Sequence, residues 1–414
     1  MPQEIFTHQF NNGLVLLAEP MDWLESAAFT MLLPAGCSRD PEQFAGLSNV
    51  TSEMLQRGAG SRDSRQFVEA IENLGVDGTS GVSNSHTTFA AAMPATNLYE
   101  ALSIYADLIR RPWFPEDQMS EGLQVCLQEV WALEDDPAQQ AIVQLKKQHY
   151  RDPWGRSCQG TEESLAKITI DDVRQQFEKT YHPNETIIGI AGKFDWATLL
   201  DQVAELFEDW KPFQNGEIQA GVPQEKYWHK KCDSTQTHLG VAYDSVPYRH
   251  PDYYQARGAV GVLSDGMSSR LFTEVRERRG LCYTVYASMH SLQDRGSVLC
   301  YAGTSTDRAQ ETLDVMMAEL LRLSQGIQQN ELDRLKARVK SSLIMQQESS
   351  RSRSGSVAVD WYYLGRVQTM EEISQKIDSL TCESINSFLN RHQAGNFTIV
   401  TLGENALEVP VGIS

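Results

Sequence analysis

The sequence predicts an α+β fold built from two homologous domains. With 414 residues, the chain is too long for one ordinary hydrophobic core. Its second half repeats the pattern of its first half. Its strands and helices do not alternate as the regular βαβ units of a doubly wound parallel sheet. These observations indicate two related domains in which helices and strands are mixed.

Two distant segments carry the repeat most clearly. Residues 150–192 and 361–403 both contain a Gly-Arg pair, a Glu-Glu pair that opens a helix, a second helix with a Thr cap, and an apolar strand that ends in glycine. The two terminal glycines are Gly192 and Gly403, so the repeat has a period of 403 − 192 = 211 residues. An apolar strand followed by an amphipathic helix recurs at a similar spacing.

The repeat places the domain boundaries. We predict an N-terminal domain over 1–212, a linker over 213–237 and a C-terminal domain over 238–414. The region around the linker contains proline and glycine and shows no sustained hydrophobic period, which is typical of a connection between domains.

Each half predicts its own series of elements from hydrophobic periodicity and from helix-ending residues. The first half predicts a strand and turn over 27–37, a buried helix over 47–56, a capped helix over 64–75 that ends at Gly75, and a helix over 121–135 before Pro137. The second half predicts a strand over 237–246, a helix over 252–265, a helix over 268–279 that ends at Gly280, a strand over 281–289, and a Ser/Arg-rich helix with an exposed polar face over 349–360.

Charge and composition exclude several classes of protein. The net charge of −19 argues against a nucleic-acid partner, which would require a basic face. No apolar run approaches the roughly 20 residues of a membrane span, and the start of the chain lacks the features of a secretory signal. The seven cysteines include no C-x-x-C pair, so we expect free thiols and a cytoplasmic protein rather than a periplasmic one.

Three stretches carry a family resemblance over nearly the whole chain. They are LPAGCSRDPEQFAGLSNVTSEMLQRGAGSR (33–62), EGLQVCLQEVWALEDDP (121–137) and DGMSSRLFTEVRERRGLCYTVYAS (265–288). The sequence resembles the inverzincin metallopeptidases, which include pitrilysin, insulin-degrading enzyme and the mitochondrial processing peptidase. It is most similar to the short bacterial members, which assemble in pairs. The resemblance implies that each domain is a mostly antiparallel sheet packed with helices, and that the two domains form half of a clamshell.

The resemblance also implies that the zinc motif of this chain is degenerate. In the family, a helix with H-x-x-E-H supplies two zinc ligands and a general base, and a distant Glu supplies the third ligand. Asn49 stands at the first His, Ser52 at the base, Glu53 at the second His and Glu129 at the distant Glu. Asn is a poor zinc ligand and Ser cannot replace a carboxylate base. We therefore predict no metal and no cofactor in this chain.

Two alternatives remain for the carboxylates of that motif. Glu53 and Glu129 could together hold a hard cation weakly. Otherwise Glu129 is an ordinary carboxylate on a helix surface. None of the nine histidines has another His at i+3 or i+4, so the sequence contains no second two-His helix.

In paired members of the family, the chain without zinc brings an Arg and a Tyr from its second domain. Arg276 and Tyr283 have the matching spacing and context. The resemblance implies that Arg276 binds a peptide carbonyl and that Tyr283 stabilises the oxyanion of the transition state, both in trans. The alternative is structural: Arg276 would oppose a helix dipole, and Tyr283 would pack on a half-buried sheet.

A small-residue loop precedes this region. The resemblance implies that Gly266, Ser268 and Ser269 bind passing backbone of the substrate or the partner. The alternative is a simple N-cap loop in which Ser268 caps the next helix.

The sequence therefore predicts the non-zinc subunit of a heterodimeric zinc metallopeptidase. Its partner would be a paralogous subunit that carries H-x-x-E-H and the zinc, and the chain alone would be inactive. The substrate would be an extended peptide, and the acidic surplus favours a basic one. The alternatives are a catalytically inactive scaffold and a peptide-binding homologue that pairs with a second copy of itself as a homodimer.

Overall fold

The computed structural model describes residues 3–409, which divide into two compact units. The first unit comprises the chain up to residue 132 together with 156–220 and 345–368. The second unit comprises 133–155, 221–344 and the chain from 369 onward. Each unit thus contains one short segment from the opposite half of the sequence. The division predicted from the repeat is contiguous, with bounds at 1–212, 213–237 and 238–414. It therefore does not include this exchange of segments.

The strands and helices are as follows. The strands are β1 (Phe6–Gln9), β2 (Val15–Pro20), β3 (Ser26–Leu33), β4 (Gly58–Ala59), β5 (Arg62–Asp63), β6 (Asp77–Val82), β7 (Thr87–Pro94), β8 (Ile187–Gly192), β9 (Tyr227–Lys231), β10 (Gln236–Ser245), β11 (Cys282–Ser291), β12 (Gly296–Ser305) and β13 (Thr398–Gly403). The α-helices are α1 (Leu47–Leu55), α2 (Ser64–Asn73), α3 (Leu98–Arg110), α4 (Met119–Glu134), α5 (Pro137–His149), α6 (Glu162–Leu165), α7 (Ile170–Thr180), α8 (Trp196–Phe207), α9 (Tyr253–Ser264), α10 (Ala309–Arg322), α11 (Gln329–Gln346), α12 (Ser350–Leu364), α13 (Met370–Asp378) and α14 (Cys382–Arg391).

The first unit is built on a sheet with the strand order β1-β2-β8-β3-β7-β6. Of its strand pairs, β2 with β8 is parallel and the others are antiparallel. Every residue of β8 is buried because both of its faces are covered, which explains its unbroken apolar run. On β7, by contrast, buried and partly exposed side chains alternate.

The second unit repeats this plan with a sheet ordered β11-β12-β10-β13-β9. Here β13 with β9 is the parallel pair and the other pairs are antiparallel. The prediction of an α+β fold with two mostly antiparallel sheets is confirmed. In the described part of the chain, no helix combines the length and apolar character needed to cross a membrane.

Helix α12 shows how an exchanged segment packs. It lies on the sheet of the first unit, where Ser350 and Ser354 contact the hydroxyls of Ser26 and Thr30 at 3.2 and 3.0 Å. The helix approaches so closely that a Cβ added to Gly189 of β8 would lie 2.4 Å from a backbone oxygen of the helix. The helix predicted over 349–360 is therefore present, but its Ser350 and Ser354 face a buried sheet and not solvent.

A buried ion pair holds the same helix. Arg353 of α12 is 2% exposed and donates to Oε2 of Glu19 on β2 at 2.7 and 2.9 Å. In the second unit, α5 takes the equivalent place, with Ala141 and Leu145 packed on β10 and β13. At the α12 contact, Ser354 and Gly189 allow the helix to lie close to its sheet.

Most of the other predicted elements lie within a few residues of their expected bounds. The helix predicted over 47–56 is α1, that over 64–75 is α2, and that over 252–265 is α9. The helix predicted over 268–279 differs, because its main part is a π-helix, Phe272–Glu277. Gly280 follows it with φ of +61°, a conformation that glycine adopts without strain.

Candidate functional site

Helix α1 carries the degenerate motif, and a buried carboxylate fixes its start. Asp40 is 5% exposed and accepts hydrogen bonds from the backbone N–H groups of Gly46 and Ser48, at 3.1 and 3.0 Å. It therefore serves as the N-terminal cap of the helix from outside it. Burial raises the pKa of the Asp40 carboxyl to about 7, although these hydrogen bonds act in the opposite direction.

The four motif residues, Asn49, Ser52, Glu53 and Glu129, are here called the motif cluster. Helix α4 brings Glu129 to α1, where the amide Nδ2 of Asn49 donates to Oε2 of Glu129 at 2.7 Å. Ser52 is 5% exposed and points away from solvent. Asn49 and Glu129, which the resemblance places at the first and third zinc-ligand positions of the family, are therefore in contact.

Arg57 changes the chemistry of the motif cluster. It lies one helical turn after Glu53, and its Nε donates to Oε1 of Glu53 at 3.0 Å. Sequence reasoning did not single out Arg57, although the i, i+4 spacing of Glu and Arg is a signal for such a pair. Both carboxylates of the cluster thus already accept hydrogen bonds from nitrogen donors of the chain itself.

These residues do not fit a zinc ion. Asn49 offers its N–H and not a lone pair toward Glu129, and the guanidinium of Arg57 repels a cation near Glu53. Among residues 3–409, no group of three or more His, Cys, Asp or Glu side chains could hold a metal ion. Whether the chain binds any cation stays a prediction for measurement.

A cysteine nucleophile is also disfavoured beside the motif cluster. Cys126 of α4 is buried, and burial raises the pKa of its thiol to about 12, with a smaller contribution from the charges of Glu129 and Glu53. Because the reactive species is the thiolate, this thiol is inert near neutral pH.

In the second unit, Arg276 and Tyr283 lie against each other and are here called the Arg–Tyr pair. Cζ of Arg276 lies 4.7 Å from the centre of the Tyr283 ring and 4.7 Å from that of Phe272. This is the range of a cation–π interaction. The π-helix and the turn at Gly280 bring the two side chains together.

The strand geometry turns Tyr283 outward. The β11–β12 ladder pairs Cys282 with Thr304 and Thr284 with Gly303, so Tyr283 is the extra residue of a β-bulge. Its side chain is 81% exposed. The alternative in which this tyrosine packs on a half-buried sheet is therefore wrong, because the ring covers no core.

The neighbouring arginines have a different role from Arg276. Arg278 and Arg279 each form an ion pair with the buried Glu274, at 2.6 and 2.8 Å. The hydrogen bond from Arg279, followed by the charges of both arginines, lowers the pKa of Glu274 despite its burial. Arg276 has no carboxylate within ion-pair distance in the described part of the chain. Its charge is thus available to a ligand.

The small-residue loop lies at the rim of an open groove of about 310 Å³ in the second unit. Gly266 has φ of +98°, and Ser269 donates from Oγ to its backbone oxygen at 2.7 Å. A Cβ at Gly266 would lie 2.5 Å from the guanidinium of Arg338. Ser268 is exposed, and its side chain makes no hydrogen bond to the helix that follows in the described part of the chain. The alternative in which Ser268 caps that helix is therefore not supported.

Comparison with family models assigns both halves of the sequence to one group of proteins. Residues 21–162 match the model described as "Insulinase (Peptidase family M16)". Residues 167–339 match the model described as "Peptidase M16 inactive domain". The two matches adjoin each other and include the motif cluster and the Arg–Tyr pair.

Curated relatives cover almost the whole chain. An "Uncharacterized zinc protease" of Rickettsia felis is 24% identical over 412 residues, covering 98% of this chain and 99% of the relative. The "Uncharacterized zinc protease YmxG" of Bacillus subtilis is 27% identical over 382 residues, covering 91% of this chain and 92% of the relative.

Solved structures share the fold over a similar extent. The peptidase M16 inactive domain from Pseudomonas fluorescens superposes with a TM-score of 0.89 at 22% identity, covering 98% of this chain and 99% of that one. A protease from Helicobacter pylori has a TM-score of 0.89 at 19% identity, covering 97% and 99%. A chain of Complex III2 from Candida albicans has a TM-score of 0.81 at 18% identity, covering 96% of each.

Proposed function

The chain belongs to the M16, or insulinase, peptidase family, and we propose that it acts there as the non-zinc subunit of a heterodimeric zinc metallopeptidase. One contrast carries the proposal. The motif cluster has its carboxylates engaged by Asn49 and Arg57, whereas the Arg–Tyr pair combines an exposed Tyr283 with a partly buried Arg276 that has no carboxylate partner in the described part of the chain. A chain that had lost all connection with peptide cleavage would have little reason to keep an exposed tyrosine stacked on an arginine without an ion-pair partner.

The proposed role of the Arg–Tyr pair follows from its chemistry. The guanidinium of Arg276 donates charge-assisted hydrogen bonds to a carbonyl of the bound peptide and fixes its position. The hydroxyl of Tyr283 donates to the oxygen on which negative charge develops as water attacks. Contact with the two aromatic rings holds the guanidinium in place before the peptide arrives, which lowers the entropy lost on binding.

The partner in this proposal is a paralogous subunit with an intact H-x-x-E-H motif. Zinc held by that subunit supplies the polarised water. The peptide binds in extended form, added as a strand to a sheet edge of the partner. The backbone of the peptide or the partner passes the small-residue loop formed by Gly266, Ser268 and Ser269. A side chain at Gly266 itself would meet the guanidinium of Arg338.

The preference for a basic peptide rests on the net charge alone. The groove beside the small-residue loop is locally positive, opposite in sign to the net charge of the chain. Its Asp265 and Glu331 already pair with Arg257 and Arg270, whereas Arg334 and Arg338 of α11 form no ion pair in the described part of the chain. A basic peptide would therefore gain its favourable interactions from the acidic surface outside this groove.

The deciding experiment is a peptidase assay with a fluorogenic basic peptide. The chain alone, a subunit with H-x-x-E-H alone, and the mixture are compared, and zinc is measured in each. We expect activity in the mixture only. Tyr283→Phe should reduce kcat about 100-fold, the usual effect of removing one oxyanion donor. Arg276→Ala should lower kcat/KM about 10- to 100-fold, as expected for lost charge-assisted hydrogen bonds.

Matched variants separate these roles from general damage. Tyr286→Phe removes a hydroxyl from the same strand and should leave the rate unchanged. Arg276→Lys keeps the charge but loses the planar fork, so it should recover only part of the activity. If the mixture is no more active than the zinc subunit alone, the proposal fails and the catalytically inactive scaffold takes its place. Tight peptide binding by the isolated chain, unchanged by the partner, would instead support a homodimeric peptide-binding homologue.

A further inference from the structure

Two cysteines that are far apart in the sequence lie side by side in the first unit. The Sγ atoms of Cys37 and Cys158 are 2.6 Å apart, although 121 residues separate them. Cys37 lies in the turn Cys37–Arg39 after β3, and Cys158 lies in the loop before α6. No other two of the seven thiols are in hydrogen-bond contact.

The backbone around both cysteines is held so that they stay together. Arg156 donates from Nη1 to the backbone oxygen of Asp40, and Ser164 donates from Oγ to that of Ala45 at 2.7 Å. A Cβ at Gly160 would lie 2.2 Å from the backbone oxygen of Ala45, so the two segments are in direct backbone contact. The juxtaposition of the thiols is therefore a property of the packed backbone and not of one side-chain rotamer.

We propose that Cys37 and Cys158 are a redox modification site that forms a reversible disulfide when the protein meets a peroxide. In the first step, the thiolate of Cys158 attacks one oxygen of hydrogen peroxide. The O–O bond breaks, a sulfenic acid forms, and water leaves after proton uptake. In the second step, the sulfur of Cys37 attacks the sulfenic sulfur. The S–S bond forms, the S–O bond breaks, and the thiol proton leaves with the hydroxyl as a second water. Two thiols are oxidised and one peroxide is reduced.

The surroundings of the two thiols assign the order of these steps. Cys158 is partly exposed and can meet the oxidant, whereas Cys37 is fully buried. The hydrogen bond to Cys158 and burial both raise the pKa of Cys37, and the positive charge of Arg156 opposes this. Cys37 therefore acts second, as the resolving thiol, once the neighbouring sulfur has been oxidised.

The disulfide would act on the segment that leads into α1. Cys37 lies three residues before Asp40, the carboxylate that caps this helix. A covalent link to the loop of Cys158 would hold the cap and the start of the helix that carries the motif cluster. It would also close a long loop and so restrict the unfolded chain, which stabilises the folded state. This inference does not depend on the proposed peptidase function.

The test uses the full-length chain, reduced and then exposed to an equimolar amount of hydrogen peroxide. We expect the thiol titration to fall from seven to five. Mass spectrometry of a digest should identify a peptide linked through Cys37 and Cys158. The melting temperature should rise by several degrees, and dithiothreitol should reverse each change.

Variants make the outcome decisive. Cys158→Ser should abolish the linked peptide and the rise in melting temperature, and Cys37→Ala should leave a sulfenic acid on Cys158 that a dimedone probe detects. Cys382→Ser, at another partly exposed cysteine, is the matched control and should behave as the wild type. The proposal is overturned if peroxide converts Cys158 to a sulfinic acid without any linked peptide. The proposal is equally overturned if peroxide oxidises the thiols simply in the order of their exposure to solvent.

Discussion

At the scale of single residues, Arg57 decides the chemistry of the motif cluster. Its charge pairs with Glu53 within the first unit, where the side chains of both residues are about one-fifth exposed. A partly buried pair of this kind is stronger than a surface ion pair, and removal of one partner leaves the other charge uncompensated. The same pair makes the cluster unattractive to a cation.

Metal content tests this interpretation. The wild-type chain should retain no stoichiometric zinc after dialysis against the metal. The triple variant N49H/S52E/E53H should bind about one zinc, because two imidazoles would then join Glu129. Zinc measured by elemental analysis, before and after a chelator, gives the result. Stoichiometric zinc in the wild type would show that the carboxylates hold metal despite Arg57.

His86 predicts a dependence of stability on pH. Burial, and secondarily the charge of Arg39, lower the pKa of His86 from 6.5 to about 4. The unfolded chain thus binds a proton that the folded chain does not between pH 6.5 and pH 4. Stability is fully present above pH 6.5 and falls as the pH drops through this window. At pH 5 the loss from this residue should be about 2 kcal/mol.

Urea unfolding at pH 7.5 and pH 5 checks the effect. A His86→Gln variant should lose less stability on acidification than the wild type. His8→Gln, at a partly exposed histidine of the same unit, should follow the wild type. Equal losses for the wild type and His86→Gln would mean that the imidazole is not buried in its neutral form.

At the scale of elements, α12 shows why its sequence is rich in small polar residues. Serines at the contact let the helix backbone approach Gly189, and their hydroxyls find partners on β3. Buried hydroxyls that are hydrogen-bonded in this way carry little penalty. The low apolar content of the helix therefore does not mean that it is exposed.

The buried pair of Arg353 and Glu19 predicts a large loss of stability on substitution. Arg353→Ala should lower the free energy of unfolding by about 3 to 5 kcal/mol, because the buried charge of Glu19 would lose the opposite charge that compensates it. Arg351→Ala, on the same helix but in an exposed pair with Asp77, should cost at most about 1 kcal/mol. Urea denaturation measures both. Similar small losses in the two variants would show that the buried charges are hydrated.

At the scale of the whole molecule, the exchange of segments makes each half of the sequence incomplete. The first unit needs α12 from the second half, and the second unit needs α5 from the first half. Without its exchanged helix, one face of each sheet would expose apolar side chains to water. The two homologous halves are therefore not predicted to fold separately.

Division of the chain in the linker tests this dependence. Residues 1–222 and 223–414, produced alone, should show no cooperative thermal transition, whereas the two produced together should associate and regain one. Circular dichroism melting of each sample gives the answer. A cooperative transition in residues 1–222 alone would show that the sheet of the first unit is stable without α12. A cut in the loop between α2 and β6 is the control for chain cleavage itself. It leaves α5 and α12 together on one fragment.

The internal repeat in the sequence predicted the duplicated α+β fold, and the family resemblance identified the residues of the motif cluster and of the Arg–Tyr pair. The elements of the repeat could be predicted because they depend on local periodicity and on helix-ending glycines, which act over short stretches of chain. The tyrosine bulge and the π-helix were not predicted, because both are small departures from a period that the sequence otherwise follows.

Three features are visible only in the folded chain: the exchange of α5 and α12, the burial of Arg353, and the contact between Cys37 and Cys158. Each depends on residues that lie more than 100 positions apart in the sequence, and no local pattern identifies such partners. A serine-rich helix is equally compatible with solvent and with a closely approached sheet. The choice is made by the shape of the surface on which it packs.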